Sequence, residues 1–166
     1  MRVPTVPRPG RLPLLPTLVV ALLIAVAVAV AAWYGDHRAA QRDRAVRQAL
    51  ATAPAAAKAI FSYDYRTFDD SVANGRTFAT GDFADEYART TATLKQTATT
   101  QQAVVLAEVS ATGVVTAGTD RVELLVYLNQ YRRNVSTAGE KVDQNRVVLT
   151  MVPVHGEWKV GKATAI

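Results

Sequence analysis

The 166-residue chain has no cysteine, which excludes disulfides, thiolate metal centres and thiol nucleophiles and leaves any exported domain to hold together by packing alone. Histidine is almost as scarce. His37 and His155 are the only two, separated by most of the chain and without a neighbouring ligand pattern, so no metal site is expected. His155 reads as a turn residue and His37 as an interfacial one. No glycine loop resembles a phosphate cradle, and no serine sits in a nucleophile elbow. The net charge of +5 falls to about +2 once Arg2, Arg8 and Arg11, all near the N-terminus, are set aside. Without a basic stripe or interleaved aromatics, nucleic acid is not an expected partner. Aromatic residues make up only 7 %. Phe61, Tyr65, Phe68, Phe78, Phe83, Tyr87 and Trp158 should therefore mark the core, because alanines bury little area each.

What the chain does have is a long uncharged run. From Leu12 to Tyr34 there is no ionisable acid or base, and about 23 residues span roughly 34 Å as a helix, enough for a bilayer core. Pro13 and Pro16 fall in its first turn, where proline is tolerated, and Trp33 with Tyr34 close it as interfacial rings. Ala29-Val30-Ala31 fits the small-x-small pattern of signal-peptide cleavage. The run is longer than the usual signal core of about 7 to 15 residues, which favours a retained anchor. Arg38, Arg42, Arg44 and Arg47 follow the run, so the positive-inside rule does not decide its orientation. The short acid-free tail and the signal-like order favour a cytoplasmic N-terminus and an extracytoplasmic domain at the cell membrane.

Beyond the anchor, Val46, Leu50, Ala53, Ala57 and Ile60 recur at helical spacing, with a kink or break expected at Pro54. A second short helix should include Tyr65, Phe68 and Val72 and end at Asn74-Gly75. A third should start with Asp82 as N-cap and run to about Ala98, with Phe83, Tyr87, Thr90 and Leu94 on one face. After Gln102 the period changes to two. Val105, Ala107, Val109, Ala111 and Val115 read as one face of a first strand, and Val122, Leu124, Val126 and Leu128 as the inward face of a second. A polar stretch over Arg132–Gln144 leads to a third strand over Arg146–Val154, and His155-Gly156-Glu157 turns into a fourth opened by a buried Trp158. The fold class is thus α+β: a transmembrane helix, then helices packed on a curved four-stranded antiparallel sheet. The divisions are a basic tail over 1–11, the transmembrane helix over 12–34, a membrane-proximal amphipathic helix over 35–62 and the α+β domain over 63–166.

The N-terminal anchor, the Ala/Arg helix, Thr80-Gly81-Asp82-Phe83 followed by Tyr87, and the closing Gly156-Glu157-Trp158-Lys159-Val160 together resemble the actinobacterial Mce-associated membrane proteins, over nearly the whole chain. The resemblance implies a cone-shaped fold similar to nuclear transport factor 2 and to the periplasmic domain of the bitopic scaffold component of type IV secretion systems. It also implies an accessory role beside Mce complexes, which import lipids and sterols through the cell envelope, with Mce or permease proteins as partners. A fold so widely shared does not fix function. Two alternatives follow: a lipid-binding domain with an apolar pocket, and an enzyme like the ketosteroid isomerases built on similar cones.

An isomerase would need an acid desolvated in a pocket, facing a hydrogen-bond donor. Asp64, Asp69 and Asp70 lie close to Tyr63 and Tyr65 in sequence, but caps and solvated helix ends explain such aspartates more simply. No catalytic, cofactor-binding or metal-ligating residue is assigned, and no cofactor is expected. Asn134-Val135-Ser136 matches a glycosylation sequon and is read as an exposed loop. The membrane is the contact expected of such a chain. An anchor beside a helix permits self-association without requiring it.

Overall fold

An uncharged run that must satisfy its own backbone groups in lipid has the helix as its local solution. In the computed structural model of the protein this run opens a single helix, α1 (Leu14–Phe61). The structure describes the backbone of residues 14–136 and 139–166 and the side chains of 18–136 and 139–166; the tail expected over 1–11 and the first residues of the span lie outside them. By its contacts the chain divides into two units, Met1–Ala40 and Gln41–Ile166. In the first, Leu18, Leu22, Leu23, Ile24 and Val28 are all exposed, and the helix is long and apolar enough to cross a membrane. Trp33 stacks on His37 with ring centroids 4.8 Å apart and meets Tyr34 edge-on at 5.3 Å, an amphipathic cluster suited to an interface.

The second unit takes its first helical segment from the end of α1. The break expected at Pro54 does not occur: the helix runs through it. Proline deprives the Leu50 carbonyl of its helical donor, but the flanking alanines are strong helix formers. Ala49, Ala53, Ala56 and Ala57 are fully buried. They join the sheet residues in one apolar cluster, where methyl-sized side chains let a helix backbone settle close.

A two-residue strand β1 (Tyr63–Asp64) and a 3-10 turn (Tyr65–Thr67) lead to α2 (Phe68–Thr77) and α3 (Gly81–Thr100). Gly75 does not end α2. It lies buried within it, where an added Cβ would overlap the Tyr87 hydroxyl and come within 2.8 Å of that ring's Cζ and 2.9 Å of the Ala59 carbonyl oxygen. The glycine is needed for this close approach of α1, α2 and α3, not for a cap. Gly75→Ala is therefore expected to cost about 1 to 3 kcal/mol as overpacking, read as a lowered midpoint in urea unfolding; a stabilised variant would show that the helices part at no cost. The start of α3 also differs, by two residues. Thr80 is the N-cap, Gly81 takes φ +57°, and Asp82 sits in the first turn, where its charge still favours the helix dipole. Thr91, not Thr90, shares the buried face with Phe83, Tyr87 and Ala98, its hydroxyl donating to the Tyr87 carbonyl at 2.8 Å.

The sheet is an antiparallel meander of five strands, β1 to β5 in chain order, with β2 (Val104–Ala117), β3 (Val122–Arg133), β4 (Lys141–Val154) and β5 (Glu157–Ala165). It has one strand more than expected, because β1 pairs Tyr63 with Val105 and Asp64 with Val104. The expected inward face of β2 holds for Val105, Ala107 and Val109, the last packed half-buried against the core, and then fails. A register shift between Val109 and Ala111 exchanges the faces, as bulges do, and Val115 is exposed. The polar stretch expected before β4 is strand at both its ends: Asn129 pairs with Gln144 and Arg132 with Lys141. Ladder hydrogen bonds carry those residues without buried side chains. On β3 the alternation is regular, and Val122, Leu124, Val126 and Leu128 are buried. The β4–β5 hairpin closes with φ +51° at His155 and +87° at Gly156, a two-residue turn of the type whose twist matches the strands.

The rings do not form the centre of the core. Phe68, Phe83, Tyr87 and Trp158 are buried, but Phe61, Tyr65 and Phe78 are only partly so. The largest fully enclosed side chains are aliphatic: Leu124, Leu128, Leu149, Met151 and their valine neighbours.

Candidate functional site

Because the aromatic rings stand beside the aliphatic centre, they leave space between the helices and the sheet. A cleft of about 340 Å³ opens there, within the range of small-ligand pockets. Ile60 and Phe61 at the end of α1, Phe68 and Val72 of α2, and Phe83 and Leu94 of α3 form its helical side, while Val147 and Ala163 supply the sheet side. A hollow of about 530 Å³ at Arg132, Val142 and Asp143 is larger but is open, polar strand surface.

The polar residues of the cleft are Ser62, Tyr63, Glu86, Tyr87, Thr90, Thr91 and Gln130. Tyr63 and Tyr87 both line it. Burial raises the Tyr87 phenol above its usual range, and burial raises Tyr63 against an opposing pull from Arg132, so both hydroxyls stay neutral. Gln130 lines the cleft as well, with its amide committed: Nε2 donates to the Phe61 carbonyl at 3.3 Å and Oε1 accepts from Asn145 at 2.6 Å. Glu86 borders it from the exposed side of α3. Arg132 is ion-paired with Asp143 at 2.9 Å and does not line the cleft.

The aspartates considered from the sequence are elsewhere. Asp69 accepts from Lys95 Nζ at 2.7 and 2.8 Å across an exposed surface, and Asp70 is exposed. Asp64 caps the 3-10 turn, accepting from the Arg66 backbone at 3.0 Å and from Arg66 Nε at 2.9 Å. The Arg66 side-chain hydrogen bond, aided by the backbone N–H and the guanidinium charge, holds its carboxyl below the usual range. A depressed folded value means that this contribution is full above the unfolded carboxylate pKa and is lost as pH falls through the folded one. The stability difference between the parent and Asp64→Asn is thus expected at neutral pH and should shrink to nothing in strong acid; urea midpoints across an acid series check this. The enzyme alternative needs an acid buried in the cleft, and these three do not supply it.

The opposite face of the sheet carries a second feature. Leu106 of β2, Tyr131 of β3 and Val142 of β4 are directly opposite one another in register, so they stand in one row on one face. Leu106 and Val142 are exposed and Tyr131 half-buried. The sequence showed no such row because the ladder, not the local pattern, aligns it. Asn134 accepts from the Ser136 backbone at 3.0 Å beyond the end of β3, which places the sequon in a loop, and Trp158 is buried at the foot of β5.

The architecture is that of an α+β cone, helices on one face of a bulged antiparallel sheet. It is similar in fold to an IcmL-like type IV secretion system protein from Legionella pneumophila, with TM-score 0.58 and 16 % identity over 69 % of this chain and 88 % of that one. It is equally similar to CagV, a VirB8 homolog of the type IV secretion system of Helicobacter pylori, with TM-score 0.57 and 10 % identity over 69 % of this chain and 93 % of that one. At such identities the likeness establishes the shared fold alone. No family model matches the sequence, and no curated protein is similar to it at a significant level.

Proposed function

We propose that this chain is a non-enzymatic, single-pass membrane protein of the cell envelope, with a cytoplasmic N-terminus and an extracytoplasmic cone domain that docks onto and stabilises partner subunits. The observation that carries the reading is the union, in one chain, of an exposed apolar helix with a domain whose fold matches components of secretion systems. The row Leu106, Tyr131 and Val142 supplies a docking face: exposed apolar side chains aligned across three strands lower the cost of binding by being desolvated once a partner covers them.

At the finer level, the partner is an Mce-type lipid or sterol import complex. This rests on the sequence resemblance at Thr80-Gly81-Asp82-Phe83, Tyr87 and Gly156-Glu157-Trp158-Lys159-Val160. A photocrosslinking amino acid placed at Leu106, at Val142 and, as a control, at Asp70 tests both levels in living cells. Capture of Mce or permease subunits from positions 106 and 142, and not from 70, is the expected result. Capture of secretion-system subunits from the same positions would keep the docking reading and replace the partner. Absence of any envelope protein in the crosslinked bands would remove the docking function.

A further inference from the structure

The cleft between α2, α3 and the sheet has a chemistry that docking on the opposite face leaves unused. Its lining combines Phe61, Phe68, Val72, Phe83 and Leu94 with no lysine, arginine or histidine. A ligand that brings a carboxylate or phosphate into it would lose hydration without gaining a cation, and Glu86 at the border would repel it. A permanently cationic headgroup finds only that one exposed acid. Ser62 Oγ accepts from the Ala107 N–H, Thr91 donates to the Tyr87 carbonyl and the Gln130 amide is committed. The polar groups that remain are the hydroxyls of Tyr63, Tyr87 and Thr90, able to donate, and the Glu86 carboxylate, able to accept. This set complements a neutral group that both donates and accepts a hydrogen bond, namely an alcohol. The apolar remainder of the ligand must then fill about 340 Å³, the scale of one chain or one small ring system rather than a two-tailed phospholipid.

We propose that the cleft is a binding site for a single neutral lipid bearing a hydroxyl headgroup, the tail lying along Phe68, Val72, Phe83 and Leu94 and the hydroxyl bonded between Glu86 and the tyrosine phenols. Binding is selective by charge: an ionised fatty acid of the same length is disfavoured, because its carboxylate meets Glu86 and no cation of the lining, while Arg132 beyond it is already paired with Asp143.

The test uses the full chain in nanodiscs with two photoactivatable probes of equal length, a diazirine long-chain alcohol and the corresponding diazirine fatty acid, at neutral pH, with labelled peptides mapped by mass spectrometry. The alcohol should label peptides of α2 and α3, the fatty acid should label them at least about tenfold less, and both should label the α1 span alike. Val72→Trp and Ala163→Phe, which fill the cleft from opposite walls, should each abolish α2 and α3 labelling by the alcohol while labelling of the span persists as an internal control. A thermal melt of each variant establishes that it is folded. Labelling confined to the span, equal labelling of the cleft by both probes, or undiminished cleft labelling in both folded variants would each overturn the proposal.

Discussion

Replacing Trp158 with alanine is expected to destabilise the domain by about 3 to 5 kcal/mol, the range for removing a large buried ring. The ring is only 6 % exposed and belongs to the same apolar cluster as Ala49, Ala53 and Val160, so truncation opens a cavity where α1 meets the sheet. Its indole Nε1 donates to Gln48 Oε1 at 3.0 Å, tying the opening of β5 to α1. Two milder substitutions separate these contributions. Gln48→Ala removes the acceptor and should cost about 1 kcal/mol, a typical single hydrogen bond. Trp158→Phe keeps most of the buried area and should fall between the two. Trp33, by contrast, is 58 % exposed on the apolar helix, and its replacement should leave the unfolding transition of the domain unchanged. Denaturant unfolding with the lone buried tryptophan as reporter suits the parent, and circular dichroism suits the variants that lack it. A Trp158→Ala midpoint equal to that of the parent would show that the ring is not core.

The second large effect is expected in the middle of the sheet. Leu124 on β3 and Leu149 on β4 are fully buried and directly opposite in register. Either one changed to alanine should cost about 2 to 5 kcal/mol. Their side chains share one space, so the double variant should differ from the sum of the two singles, a coupling expected between contacting residues and absent between distant ones. Leu106→Ala on the outer face, where the side chain is 40 % exposed, should change stability by less than about 0.5 kcal/mol. That contrast matters for function as well as folding, since it allows the docking row to be altered without unfolding the domain. Additive effects at Leu124 and Leu149 would contradict the register.

Much of this architecture was legible where local pattern and tertiary burial agree. The strict alternation of Val122, Leu124, Val126 and Leu128 announced the inward face of β3, and Phe83 with Tyr87 announced that of α3. Legibility failed where the physics is non-local. The two residues of β1 carry no periodicity at all, and only their pairing with Val104 and Val105 makes them a strand. Residues 141–145 are polar except for Val142 and read as a loop, yet the β3 ladder holds them extended. Gly75 looked like a helix end because glycine is a common cap, whereas the reason for it lies in Tyr87 and the Ala59 carbonyl, neither of them adjacent in sequence. The alanines of α1 were discounted for their small area, and smallness is what places them in the core.

The cleft was illegible for a similar reason. It draws residues from three helices and the sheet, and nothing in any one segment distinguishes a ring that fills the core from one that borders a space. The sequence-based expectation that the seven rings mark the core was half met. Of those left partly exposed, Phe61 lines the opening, beside the buried Phe68, Phe83 and Tyr87. The charge character of the cleft was equally hidden, since cations that are near in sequence, such as Arg66 and Lys95, are committed to Asp64 and Asp69 on the outside.

In the function proposed above, one helix holds this domain at the membrane, on the far side from the N-terminal tail. The chain has no cysteine, so Thr119→Cys, in the exposed turn between β2 and β3, becomes a single reporter. Intact cells are treated with a membrane-impermeant maleimide, and the membranes are then extracted with alkaline carbonate. Labelling before lysis, with the full-length labelled chain retained in the pellet, is the predicted result. Labelling only after lysis would contradict the orientation, and recovery of a chain shortened by about 3 kDa in the soluble fraction would mean that the apolar run is a cleaved signal and not an anchor.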